Sequence, residues 1–168
     1  MKAIRLAGAV LTTLLAAACA RPAPQLAAAS DPDVAAVARL VATLDSCART
    51  GALDVFLSLS ADDVVMLAPD QPTVVGKDAV REYYRSLYGT FTIDMRHAPI
   101  ETHAVGDLVV SRGDGRGTLT PKAGGQPMSF DNKYVMLFRR QADGSLKVWR
   151  VAFNSNVPPA APPTAPRR

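Results

Sequence analysis

The sequence predicts one α+β domain in which helices cover one face of an antiparallel sheet, and three observations lead there. Apolar residues recur at helical spacing before Phe91 and at strand spacing after it. Turn signals at Gly106-Asp107, Lys122 to Gln126 and Asp143-Gly144 divide that second half into four extended runs. Ala- and Pro-rich stretches, Arg21 to Ala29 and the VPPAAPPTAPRR end from Val157, bound the patterned region on both sides. About 125 residues remain between them, enough for a single core.

The elements follow in order. Ser30 or Asp31 caps a first helix with Pro32 in its first turn, and Val34, Val37, Val41, Leu44 and Ala48 form its apolar stripe up to Gly51. A short helix runs from Leu53 to about Ser60, with Leu53, Phe56 and Leu57 on one face. Val64 to Ala68 and Pro72 to Val75, joined by a turn through Asp70, make a hairpin. Gly76 opens a third helix from Lys77 to about Tyr88, with Val80, Tyr83, Tyr84, Leu87 and Tyr88 on a broad apolar face and Gly89 as its stop. The four strands run about Phe91 to Ala104, Leu108 to Thr120, Met128 to Arg140 and Leu146 to Asn154.

Lys2 and Arg5, the apolar Leu6 to Leu15 and the small residues after them read as an export signal, too short to span a bilayer. Leu15-Ala16-Ala17-Ala18-Cys19 resembles a lipobox, which implies acylation at Cys19, with Ala16 in place of the usual leucine. An ordinary signal peptidase can also use Ala16 and Ala18. The expected location is therefore periplasmic or membrane-anchored, with the lipid as the only membrane contact. Residues 1–19 are the signal, 20–30 a linker, 31–157 the domain and 158–168 a tail.

Five of the nineteen basic residues (Lys2, Arg5, Arg21, Arg167 and Arg168) lie outside the domain, leaving fourteen against fifteen acidic residues. The high pI therefore gives no basis for nucleic-acid binding. Cys47 has no second domain cysteine to pair with and reads as a small apolar residue on a helix. There is no Gly-x-Ser-x-Gly elbow and no glycine loop opening onto a helix, and no cofactor is expected.

The stretches Ser60-Ala61-Asp62-Asp63-Val64-Val65-Met66, Val75-Gly76-Lys77-Asp78-Ala79-Val80 and Tyr134-Val135-Met136-Leu137-Phe138-Arg139-Arg140, continuing to Trp149, together with the element order, resemble the SnoaL-like, NTF2-like superfamily. The resemblance implies a cone-shaped roll whose sheet and three helices enclose a pocket for a small apolar ligand, with a homodimer as the expected assembly. It implies a pocket lined by Leu44, Met66, Ala68, Tyr84, Asn132, Tyr134, Met136, Trp149, Val151 and Phe153. Ketosteroid isomerases of this superfamily use a carboxylate base, a tyrosine and a protonated aspartic acid. Here those places fall on Ala68, Leu44 and Tyr134, so steroid-type isomerisation is not expected.

Unbroken alternation along the middle strand turns Val110, Arg112 and Asp114 inward, whereas a bulge at Gly113, Gly115 or Gly117 reverses this. An inward Arg112 with Asp114 fixes a carbonyl or poises Asp114 as acid or base, and an outward pair is a solvated strand end. His97 and His103, six apart, can share a face but lack a third ligand, so they read as surface histidines and no metal is expected. Asp62-Asp63 reads as the end of a helix. Two functional readings remain. One is a non-catalytic module in the cell envelope that binds a small apolar molecule or mediates assembly. The other is a cofactor-independent proton-transfer enzyme using Tyr134, Asp114 and Arg112, which requires Asp114 to lie inside the pocket.

Overall fold

The computed structural model describes residues 27–28 and 31–158; Cys19 with the leader, Ser30, and the tail from residue 159 lie outside the described residues. The chain order is β1 (Ala27–Ala28), α1 (Asp31–Thr50), α2 (Leu53–Ser58), β2 (Ser60–Leu67), β3 (Val74–Val75), α3 (Lys77–Thr90), β4 (Phe91–Val105), β5 (Leu108–Pro121), β6 (Met128–Arg140) and β7 (Leu146–Ser155). No helix among the described residues is long and apolar enough to cross a membrane.

Helix α1 forms because its apolar side chains share one stripe: Val37, Leu40, Val41, Leu44, Cys47 and Ala48 are all buried. It stops where Gly51 takes a left-handed conformation (φ 71°) and its N–H, with that of Ala52, returns to the Cys47 carbonyl. Helix α3 passes through Gly89 to Thr90, beyond the expected stop. Its last carbonyls are satisfied from the neighbouring turn: Lys122 N donates to Thr90 O (2.9 Å) and Lys122 Nζ to Tyr88 O (2.6 Å).

The strands form one curved sheet in the order β1-β4-β5-β6-β7-β2-β3. Consecutive long strands pair antiparallel, as their tight turns require. The β2–β7 pair is parallel, so the sheet is mixed. Turn chemistry does not reach that pair, because α3 and four strands, β3 to β6, separate its members in the chain. The linker contributes the two residues of β1, paired with Ala104 and His103 on β4.

Asp62 and Asp63 belong to strand β2, not to a helix end. Asp63 takes two hydrogen bonds from Arg139 (3.2 and 2.6 Å) and one from Trp149 Nε1 (2.9 Å). The guanidinium of Arg150 stacks 4.0 Å from the Trp149 ring centre. The Arg139 hydrogen bonds, then the Trp149 one, hold the Asp63 carboxyl at about 2, so it is an anion tying β2 to β6 and β7.

The core lies between α1, α2 and α3 and the inner face of the sheet, where Val64, Val80, Val109, Phe138 and Val148 meet the α1 stripe. A cavity opens beside this core.

Candidate functional site

Two bulges decide which side chains reach the cavity. Pairing of β4 with β5 shifts by one residue between Pro99 and Glu101. His97, ahead of the shift, faces inward opposite Gly115, while the shift turns Glu101 and His103 to the outer face, and the six-residue spacing no longer keeps the histidines together. The second shift separates Leu137 from Phe138 in the β6–β7 ladder. Val148 and Val151 both reach the cavity across it, and Trp149 is sent outward to Asp63.

Strand β5 itself has unbroken register with β6 from Leu108 to Leu119. Gly113 pairs with Tyr134 and Gly115 with Asn132, so the glycines share the inner face. Val110, Arg112 and Asp114 consequently face outward, where Arg112 is bonded to Glu101 and Asp114 to Arg116 (3.3 Å). This corrects the pocket placement of Val110, leaves the outward one of the two alternatives for Arg112 and Asp114, and removes the form of catalysis that needed Asp114 inside. The physical reason is the close approach of β4. A Cβ on Gly113 would lie 2.2 Å from Ala98 O, and one on Gly117 would lie 1.9 Å from Asp94 O.

The cavity has a volume of about 230 Å³. Of the residues expected there, Leu44, Tyr84, Asn132, Tyr134, Met136, Val151 and Phe153 are on its wall. Met66 is buried in the core away from it, Ala68 lies past the end of β2, and Val110 and Trp149 are on the other face. Aromatic residues from α2 and α3 form the opposite wall. Phe56 and Tyr84 have ring centres 4.4 Å apart, and Tyr84 and Tyr88 5.5 Å.

The main polar feature is a pair that the sequence reading missed. Asp45 on α1 and His97 on β4 are joined by Oδ1 to Nδ1 at 2.6 Å, and the His97 backbone N–H donates to Asp45 Oδ2 at 3.0 Å. Both side chains are nearly buried, 10% and 11% exposed. With Nδ1 committed to the carboxylate, the ring presents Nε2 as its free nitrogen, and the ring lies on the cavity wall. One signal was available: Asp45 is an acid inside the apolar stripe of α1, between Leu44 and Ala48. His97 carried a second: it continues the alternation of Phe91, Ile93 and Met95 with Thr92, Asp94 and Arg96, which puts it on the cavity side before the shift is reached.

Tyr134 stands edge-on to His97 with ring centres 5.1 Å apart. It is 4% exposed, and its hydroxyl makes no hydrogen bond of normal geometry among the described residues, although the Ser111 side chain is close enough to act on it. Burial pushes the phenol up to about 12, only partly opposed by Ser111. The hydroxyl therefore keeps its proton at neutral pH and can donate it in a hydrogen bond. Asn132 lies across Gly115 from His97 in the same row of the sheet. With no side chain on Gly115, that row has room above it for a ligand atom. Cys47, whose thiol burial pushes up, stays a neutral thiol. Among the described residues no cluster of His, Cys, Asp or Glu could hold a metal ion.

A model of the SnoaL-like domain family matches residues 37–151. No curated protein matches the sequence significantly. Among solved structures, a ketosteroid isomerase-like protein from Erwinia carotovora atroseptica is 25% identical, with a TM-score of 0.69, covering 77% of this chain and all of the other. An NTF2-like superfamily protein from Salmonella enterica superposes with a TM-score of 0.70 at 12% identity, covering 81% of this chain and 99% of its own. A candidate dehydratase of the NTF2-like family from Streptomyces avermitilis gives 0.66 at 18%, with 77% and 100% covered. At these last two identities the likeness is one of fold.

Proposed function

Given that the chain belongs to the SnoaL-like family, we propose that the cavity binds a small, mostly apolar carbonyl compound and that His97 moves a proton on it without a cofactor. The observation that carries this reading is the His97–Asp45 pair opening on an apolar cavity beside an unpartnered tyrosine hydroxyl.

Each residue has one task. His97 Nε2 takes a proton from the carbon next to the carbonyl, and the C–H electron pair moves to form the enolate, placing charge on oxygen. The Tyr134 hydroxyl donates a hydrogen bond to that oxygen in a site where water competes little. Asp45 keeps Nδ1 protonated, fixes the ring plane and leaves a carboxylate beside the imidazolium that forms. Returning the proton to another carbon completes an isomerisation. Delivering it to a departing β-hydroxyl completes a dehydration, with water as the leaving group. The ketosteroid isomerase-like relative is consistent with carbonyl chemistry, carried here by a different set of side chains. The N-terminal segment supports placing this activity outside the cytoplasm.

Hydrogen–deuterium exchange at the methyl group of acetophenone in deuterated buffer tests the reading by NMR. The protein accelerates exchange, His97→Gln lowers the acceleration about 100-fold or more, and Asp45→Asn lowers it about 10- to 100-fold. Exchange at the buffer rate, with acetophenone bound, would leave a binding module and remove the enzyme.

A further inference from the structure

The cavity contains a second orphaned donor. The Tyr88 hydroxyl is buried without a hydrogen-bond partner among the described residues, and Tyr88 is on the cavity wall. A buried hydroxyl left unpaired costs roughly 1–3 kcal/mol, so two in one small cavity are unusual unless a ligand completes them.

The two donors enter from different ends. Tyr88 sits in the last turn of α3, its backbone held by Lys122 just after β5, beside the first residues of β4. Tyr134 stands next to His97, six residues further along β4 than Phe91. The two hydroxyls thus come to the cavity from separate elements, α3 and β6. The rest of the wall is mainly aliphatic and aromatic, with Asn132 and the His97 ring among its polar groups.

Charge narrows the ligand further. Among the described residues no lysine, arginine, aspartate or glutamate lines the cavity, and His97 is already engaged with Asp45. An anionic group placed there would lose its hydration without gaining a cation, which is strongly unfavourable. Size gives a last limit. A dry cavity of about 150 Å³ accepts benzene, so about 230 Å³ suits roughly nine or ten non-hydrogen atoms.

We propose that Tyr88 forms a second subsite, and that the natural ligand is an uncharged, single-ring-sized compound with an oxygen at each end, one held by Tyr134 and the other by Tyr88. This rests on the cavity being the substrate site, and it adds which molecules that site selects.

Isothermal titration of the whole protein with acetophenone, para-hydroxyacetophenone and the anion benzoate, which matches acetophenone in size, at mildly acidic pH, tests it. The para-hydroxyl compound binds about five- to tenfold more tightly than acetophenone, and the anion binds at least tenfold more weakly than either. Tyr88→Phe brings the ratio of the two neutral affinities to about one. His97→Gln keeps the wild-type ratio, so loss of proton exchange and loss of the subsite are separate results. A ratio of one in the wild-type protein, a ratio that survives Tyr88→Phe, tighter binding of the anion, or no binding of either neutral compound would each overturn the subsite.

Discussion

The unpaired hydroxyls of Tyr134 and Tyr88 have an energetic consequence of their own. In the empty protein each is a desolvated donor, so removing one should raise stability while lowering function. Tyr134→Phe is expected to gain about 1 kcal/mol, a rise in Tm of a few degrees for a domain of this size, while proton exchange falls about 10- to 100-fold. Thermal unfolding beside the exchange assay checks both, and a loss of stability would mean the hydroxyl has a structural partner. At this scale the sequence was partly legible. Tyr134 and Asn132 stood out by their place in the resemblance, whereas Asp45 and His97 were passed over although an acid in an apolar stripe and a histidine continuing the Phe91, Ile93, Met95 row were both visible. The facing of His103 was not visible, because it depends on a backbone irregularity between Pro99 and Glu101.

That irregularity belongs to the elements. A bulge adds one residue to a strand and reverses the facing of all that follows, and alternation of apolar and polar residues is too weak in β4 to reveal it. The four long strands were legible to within a residue, since turn glycines such as Gly106 (φ 58°) and Gly144 (φ 82°) mark their ends, whereas β2 begins at Ser60 and not at Val64. The glycines within β5 were recognised as a place where parity could change. Their role is to admit the β4 backbone instead. Gly117→Ala would bring its Cβ to 1.9 Å from Asp94 O and 2.8 Å from the Phe130 ring. We expect a loss of about 3 kcal/mol or more, because backbone atoms of a paired strand cannot yield without breaking the ladder. Gly89→Ala, in a helix with no atom within 4 Å, should instead gain roughly 0.5–1 kcal/mol. Urea denaturation of the two variants gives opposite shifts, and similar shifts would contradict the close approach of β4 to β5.

For the molecule as a whole, the leader and the domain answer different questions. We propose that the protein is exported and that Cys19 becomes its first residue, with or without a lipid. Intact-mass measurement of protein extracted from its own host should show a chain beginning at Cys19, heavier by a diacylglyceryl group and further acylation if it is anchored. A mature species that retains residues 1–18 would sink export. Within the domain, the parallel β2–β7 contact brings the Asp63–Arg139–Trp149 cluster together. Local pattern could not supply this contact, because its partners lie at opposite ends of the domain.

The sequence by itself determined the order and extent of the helices and long strands, the superfamily, the near-neutral domain and the apolar character of the pocket. All of these follow from local periodicity, turn chemistry and composition. Only the tertiary structure decided which face His103, Arg112, Asp114 and Trp149 take, and that Asp45 meets His97. Facing in a bulged sheet is set by pairing with a neighbouring strand, and the meeting of α1 with β4 by packing across 52 residues of chain. Neither is written in any short stretch of sequence.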